Sequence, residues 1–235
     1  MTGTSVRGRM DTVRAHPSAV LLGAQLLAVL AYPFLDDAAW GRAIVGSVQL
    51  AIVVAALAAV RPSPALTWVA VLFGAPAMVL TIVEAVQPDT DAVVLLSALF
   101  HAPFYFYISY AMLRYLFHDD RVTRDELFAT GAAFTVVAWG FAYLYAACQV
   151  LWPTSFIGAD GTGDRSWFEL LFLSFTTLTS VGLSDVLPVQ AHARSLAMVE
   201  MVAGVFYVAL VVARLVSLAV VRHQSEDSQD RVPPD

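Results

Sequence analysis

The sequence contains no lysine and only one cysteine, Cys148. With a single thiol there is no internal disulfide and no cysteine-rich metal site. Cys148 lies in an apolar stretch and reads as a buried, inert thiol. Charge is scarce: charged residues are 14% of the 235, and 13 arginines face 19 acids, for a net charge of −6. An acidic chain with no basic cluster is not a nucleic-acid binder. Polar surface is short altogether. Apolar residues make up 59% and mean hydropathy is +0.71, whereas a soluble domain has about 45–50% apolar and about 25% charged residues. Such a chain cannot coat a water-facing globule. That excludes an ordinary soluble enzyme, a disordered regulator and a coiled coil, and leaves a multi-span membrane protein. Motifs such as HExxH, GxSxG and Walker A are missing as well, so neither an enzyme nor a bound organic cofactor is expected.

Six apolar runs are long enough to cross about 30 Å of hydrocarbon: 18–35, 41–60, 65–86, 92–117, 127–151 and 196–220. Arg7, Arg9 and Arg14 precede the first, but Pro33-Phe34-Leu35-Asp36 ends it without a small-residue cleavage motif. It reads as a retained span and not a signal peptide. A seventh run, Trp167–Leu178, has twelve residues. That is too short to span and suggests a re-entrant or buried segment. Irregular backbone at membrane depth is tolerated only inside protein or beside a water-filled cavity. A short run followed by Gly182 and Pro188 therefore suggests a pore.

Arginine placement sets the orientation. With the N-terminus in the cytoplasm, ten arginines lie inside and only Arg42, Arg165 and Arg194 outside, so both termini are expected to be cytoplasmic. The outer side collects Asp36, Asp37, Asp89, Asp91, Asp160, Asp164 and Asp185. These either mark exposed loops or raise the local cation concentration. Arginine–alanine richness without lysine points to a high-GC bacterial genome, hence to a multi-pass protein of the plasma (cell inner) membrane, with the lipid bilayer as partner.

Residues 166–188 read SWFELLFLSFTTLTSVGLSDVLP. This resembles the pore segment of the tetrameric potassium-channel superfamily, TTxTTVGYGDxxP. Thr176, Thr177 and Thr179 match the end of the pore helix; Ser180-Val181-Gly182-Leu183-Ser184 stands in place of TVGYG; Asp185 and Pro188 follow it. The likeness continues through Glu200, Gly204, Tyr207, Arg214 and Ser217 into a helix like the inner helix of bacterial two-helix pore modules. The resemblance covers about 95 residues.

The resemblance implies an all-α membrane protein with six transmembrane helices and a re-entrant pore helix and filter loop between helices five and six. It implies a cytoplasmic N-terminus (1–17), a four-helix domain (18–117), a cytoplasmic linker (118–126), a pore domain (127–221, with pore helix 167–179 and filter 180–184) and a disordered cytoplasmic tail (222–235). It also implies a homotetramer conducting potassium passively, with monovalent cations held by backbone carbonyls of Ser180, Val181, Gly182 and Leu183. The alternatives are a non-selective or sodium-permeable channel and a non-conducting scaffold or modulatory subunit.

Such a filter needs backbone that alternates in conformation. Glycine reaches positive φ cheaply, and Gly182 supplies one such position. Ser180 keeps a hydroxyl for the innermost site. Leu183 replaces the usual tyrosine and Ser184 the second glycine. A non-glycine residue at positive φ is strained by about 1–3 kcal/mol. Either Ser184 takes that strain or the outer filter changes shape.

The remaining candidates carry paired readings. Asp185 hydrogen-bonds behind the filter, to Trp167 or a neighbouring pore-helix group, or attracts cations at the mouth. Trp167 and Trp152 read as membrane-interface residues. Glu169 in the first turn of the pore helix reads as a cap-type acid. Glu200, an acid inside the last span, either contacts the pore helix or attracts ions. Gly204 is a gating hinge or a close-packing site. Ala209, Val212 and Val216 are candidates for an apolar constriction. His101 reads as a hydrogen-bonded core residue, with pH sensing as the other option. The run Phe104 to Tyr110 reads as packing and lipid-facing surface. The fourth run carries one arginine, Arg114 at its end, so steep voltage gating is not expected.

Overall fold

The computed structural model describes residues 17–35, 46, 64–87, 90–116 and 124–229. The run expected at 41–60 (Gly46 apart), the first sixteen residues, most of the expected linker and the last six residues lie outside them. The elements are helices α1 (Pro17–Leu35), α2 (Pro64–Val86), α3 (Asp91–Leu116) and α4 (Arg124–Leu151), strands β1 (Phe156–Gly158) and β2 (Gly161–Thr162), helix α5 (Trp167–Leu178), strand β3 (Leu187–Pro188) and helix α6 (Ala191–Gln229). Among the described residues four helices are long and apolar enough to cross a membrane, at Trp68–Val86, Asp91–Arg114, Leu127–Leu151 and Ala191–Arg214. The fold is a mostly helical, multi-pass membrane protein.

Local chemistry explains the helix starts. Pro64 opens α2, where a missing N–H costs nothing. Asp91 opens α3 as an acid at the positive end of the helix. Pro33, Pro76 and Pro103 lie inside α1, α2 and α3, which continue through them.

Helix α4 is the hub, packing on α1, α3, α5 and α6. Its buried face is built from small residues, Ala129, Ala132, Ala133 and Ala142, against Tyr105, Ile108, Ala111 and Met112 of α3. Small side chains let helix backbones approach in a membrane, where no hydrophobic force drives helices together. Side-chain hydrogen bonds add to this. Ser109 Oγ donates to the Ala133 carbonyl at 3.2 Å, and Thr135 Oγ1 to Gln25 Oε1 at 2.5 Å. At the start of both α1 and α4, Ser18 donates through its N–H and its hydroxyl to the two oxygens of Asp125, at 2.9 and 2.8 Å.

His101 is a buried, hydrogen-bonded core residue. Its Nδ1 donates to the Ser97 carbonyl at 2.9 Å, Nε2 meets Thr81 Oγ1 at 3.0 Å, and the ring stacks on Tyr143 at 4.3 Å. Phe104 and Tyr105 are buried, while Tyr110 is exposed, so the aromatic run divides between core and outer surface. Cys148 is buried and free, with Sγ 3.9 Å from Ser155 Oγ.

Two expectations need correction. The chain is not wholly α-helical: β1, β2 and β3 form a three-stranded antiparallel sheet in the order β2-β1-β3. Gly158 pairs with Gly161 across the Ala159-Asp160 turn, with Gly161 at φ 104°, a conformation that glycine alone adopts without strain. The final helix also runs further than the expected span. It starts at Ala191 and continues to Gln229, so residues 222–229 are helical where a disordered tail was expected, and the last six residues of that tail lie outside the described ones. No glycine or proline occurs between Val205 and Val232, and each added residue extends a formed helix at little cost.

Candidate functional site

The site is built around α5. Ser166 is its N-cap: Ser166 Oγ accepts from the Glu169 N–H at 3.3 Å, and Glu169 Oε2 accepts from the Ser166 N–H at 2.7 Å. This reciprocal capping box satisfies two donors that a helix start leaves bare, and it gives Glu169 the cap role read from its position. The preceding residue is clasped by α4. Gln149 Oε1 accepts from the Arg165 N–H at 2.9 Å, and Gln149 Nε2 donates to the Arg165 carbonyl at 3.0 Å. The Arg165 guanidinium pairs with Asp160 at 2.5 Å and Glu169 at 3.5 Å, and it holds the Asp160 carboxyl below the usual carboxylate range.

Trp167 is half-buried. It packs at ring-centroid distances of 5.8 Å from Tyr32, 4.9 Å from Trp139 and 5.7 Å from Tyr143. The amino end of α5 is thus embedded in the aromatic core of the first helices. Trp152 is exposed and stacks on His192 at 3.9 Å.

At its carboxyl end α5 is closed by backbone. Thr179 is the C-cap and Ser180 takes a left-handed conformation, φ 59°. The Ser180 N–H donates to the Thr177 carbonyl at 3.0 Å and the Val181 N–H to the Thr176 carbonyl at 3.0 Å. These are the two bonds of a Schellman cap. The Gly182 N–H shares the Thr176 carbonyl at 3.1 Å, with Gly182 at φ 69°. Thr179 Oγ1 adds a bond to the Phe175 carbonyl at 2.7 Å, and Thr176 Oγ1 one to the Leu173 carbonyl at 2.9 Å. Gly182 therefore takes the expected positive φ. Ser184 does not: among the described residues outside glycine, the positive values fall at Thr154 and Ser180. Of the two readings for Ser184, the strained one is not taken, and a left-handed non-glycine residue stands at Ser180, where the helix cap places it. Ser184 Oγ instead accepts from the Val186 N–H at 3.0 Å, a local turn.

Asp185 is exposed, and the bond to Trp167 expected behind the filter is not made: Trp167 Nε1 has no hydrogen-bond partner. Past Val186, which is fully buried, β3 pairs with β1 through Phe156–Pro188 and Ile157–Leu187. The Val189 N–H donates to the Ser155 carbonyl at 2.9 Å, and Gln190 Nε2 to the Pro153 carbonyl at 2.7 Å.

Glu200 meets the back of α5. It is completely buried, accepts from Tyr145 OH of α4 at 2.5 Å and bonds Ser174 Oγ of α5. Ser174 Oγ also reaches the Ala138 carbonyl at 2.8 Å, and Thr177 lies beside Tyr145. Of the two readings for Glu200, contact with the short helix holds. Its partners stand 55 and 26 residues away in sequence, so spacing alone does not reveal Tyr145 or Ser174. Gly204 lies one turn further along α6, against the end of α5. A methyl group there would run into the Leu178 carbonyl, which makes this a close-packing glycine. Tyr207 OH donates to the Thr130 carbonyl at 2.5 Å. Ala209, Val212 and Val216 are all exposed on the single chain.

Residues 131–221 match the family model described as an ion channel. The match supports an ion-channel domain of the potassium-channel-like pore superfamily in this stretch. It runs from within α4, through β1, β2, α5 and β3, into α6. No curated protein and no solved structure matches the chain.

Proposed function

We propose that four copies of this chain surround one axis and conduct cations passively, with potassium preferred, and that carbonyls of Ser180, Val181, Gly182 and Leu183 line the path. The observation that carries this reading is the form of residues 167–183. A twelve-residue helix rises only about 18 Å, well short of the hydrocarbon thickness, and so fits a re-entrant element that returns to the side it entered. It ends in a segment whose apolar side chains lie open on one chain, Val181 at 59% and Leu183 at 75% exposure. A carbonyl ring needs several chains, and neighbouring copies would cover these residues. The exposed α6 face, with Val205, Val208, Val212 and Val216, supports the same packing. The N–H groups of 180–182 turn back onto α5, which keeps donors off the open side. Both termini are cytoplasmic in this reading, the membrane is the plasma membrane, and the filter holds potassium ions. Arg114 alone does not make a voltage sensor.

A second reading, a channel that also passes sodium, is favoured by Ser184. Its backbone is not left-handed and its hydroxyl is committed to the Val186 N–H, so the outermost carbonyl ring of the family pattern would differ. Liposome flux with separate gradients of potassium, sodium and a large organic cation decides between them. Potassium flux alone is expected. Equal potassium and sodium flux with the organic cation excluded establishes the second reading. A chain that native mass spectrometry shows as a tetramer but that passes no cation overturns both and supports a non-conducting scaffold.

A further inference from the structure

Three contacts between oxygen atoms meet behind α5, and the hydrogens that fill them can be counted. Tyr145 OH of α4 lies 2.5 Å from Glu200 Oε2 of α6. Ser174 Oγ of α5 bonds Glu200 Oε1 and also lies 2.8 Å from the Ala138 carbonyl of α4. Each contact needs one hydrogen. Tyr145 brings one, Ser174 brings one, and the Ala138 carbonyl brings none. A carboxylate only accepts, so the ionised form leaves two hydrogens for three bonds. The count closes with the carboxylic acid. Tyr145 then donates to Oε2, the Oε1 hydroxyl donates to Ser174, and Ser174 donates to Ala138.

The surroundings agree. Glu200 is completely buried, and a buried charge is costly unless a cation pairs with it. Among the described residues the ion pairs are those of Arg165 with Asp160 and Glu169, and none reaches Glu200. From α4 the titratable groups facing it are the Tyr145 phenol and, behind that, the Cys148 thiol. From α5 come the hydroxyl of Ser174 and, beside Tyr145, that of Thr177. Leu187 and Pro188 of β3 do not titrate, and α6 carries no other acid, base or phenol between 196 and 204. Tyr145 itself belongs to an apolar cluster with Phe141, Leu170, Leu173 and Ala197.

We propose that Glu200 is held as the un-ionised acid and that its proton, donated to Ser174, ties α5 to α4 and α6 at once. Glu200 is thus a positioning residue for α5. Without that proton, Ser174 has one hydrogen for two acceptors. A carboxylate accepts more strongly than an amide carbonyl, so Ser174 turns to Glu200 and the bond to Ala138 is lost. Alkali therefore frees α5 from α4 at a point six residues before Ser180. The effect on residues 180–184 rests on the pore reading; the proton on Glu200 does not.

The test is infrared spectroscopy of the full-length protein in detergent at pH 7, taken as the difference between the native chain and Glu200→Gln. The carbonyl-stretch band of a protonated carboxyl is expected in the native chain, shifted in heavy water and absent from the variant. Ser174→Ala keeps the acid and removes its acceptor, so the band should persist and move to higher frequency. This variant also serves should Glu200→Gln fail to fold. The second readout is the folding equilibrium against pH. The folded protein holds a proton that the unfolded chain, whose glutamates ionise near about 4.3, gives up. The stabilisation is complete below that value and is lost as pH rises, until the folded carboxyl itself ionises. Between about pH 5 and pH 7 the native chain should lose about ten-fold in its folding equilibrium per pH unit relative to Glu200→Gln. No protonated-carboxyl band, a band that Ser174→Ala does not move, or parallel pH profiles in the two chains overturns the proposal. Neither readout involves flux, so failure of this proton and failure of the pore reading are distinguishable.

Discussion

Side chains hold the amino end of α5, whereas backbone groups hold its carboxyl end. At the amino end, Ser166 and Glu169 cap each other, Gln149 clasps Arg165, and Trp167 packs among three aromatic rings. At the carboxyl end, three consecutive N–H groups fold back onto the carbonyls of Thr176 and Thr177, and the side chains beyond them stand open. The first arrangement belongs to a finished core. The second leaves a surface that one chain does not cover. The same contrast separates the long helices: 61% of the α4 span is buried against 17% of the α6 span. A membrane helix with so little protein contact faces lipid or another chain. Between the two ends, Glu200 and Gly204 fix the back of α5 to α6.

Glu200→Ala should have the largest effect. It strips the partner from two buried hydroxyls, Tyr145 and Ser174, and an unsatisfied buried group costs about 1–3 kcal/mol. A loss of about 2–5 kcal/mol is expected, read as a lower Tm in detergent. Glu200→Gln keeps an acceptor and a donor in the same place and should recover more than half of that loss. Equal losses in the two variants would show that the carboxylate's charge, and not its hydrogen bonding, holds α5.

Gly204→Ala comes next. The added methyl group meets the Leu178 carbonyl, and overpacking of this kind costs about 1–3 kcal/mol. Cation flux should fall before the protein unfolds, because the displaced atoms sit two residues before Ser180. An unchanged Tm and flux would mean that α6 and α5 slide apart freely, and the contrast between a fixed back and an open front would fail.

Ser166→Ala removes the N-cap and should cost about 1 kcal/mol. Ser180→Gly has the opposite sign. It relieves a left-handed non-glycine residue, a gain of about 1 kcal/mol, while deleting the hydroxyl proposed for the innermost cation site. A higher Tm together with reduced potassium flux separates the backbone role of this position from its hydroxyl role.

The smallest effect belongs to the Arg165–Asp160 pair. Asp160 has a folded pKa held below its unfolded value, so its stabilising contribution is present at neutral pH and is lost as pH falls through the folded value, below about 4. The Asp160 side chain is 78% exposed, so solvent screens the pair. Asp160→Asn should leave Tm at pH 7 nearly unchanged and flatten its decline on acidification.

Much of this arrangement is legible in one dimension. The Ser166–Glu169 spacing and the twelve-residue apolar run mark α5, and Gly182 marks a positive φ. Local chemistry suffices for these. At Ser184 it leaves two readings open, strain or a changed shape, and the unstrained one is taken, while the helix cap places a left-handed residue four positions earlier, at Ser180. The hairpin at 156–162 is masked by its short strands, although Gly158, Gly161 and Gly163 signal unusual backbone. The polar clasp of Tyr145, Ser174 and Glu200 is silent in sequence, since hydrogen bonds between three helices leave no periodic trace. The surroundings of Trp167 are silent for the same reason: an indole after a loop suits a membrane interface, and its ring contacts come from Tyr32 of α1 and Trp139 and Tyr143 of α4.

The segment after α5 resembles a short cable strung between two piers. One pier is the cap on Thr176, the other the pairing of β3 with β1. Between the last N–H tied to α5, at Gly182, and the first strand residue, Leu187, lie only residues 183–186. Four residues reach at most about 14 Å when fully extended, and Ser184 already shortens that span by turning onto Val186. There is little slack to take up. Any displacement of the hairpin is therefore transmitted to the end of α5, and the two travel as a single part.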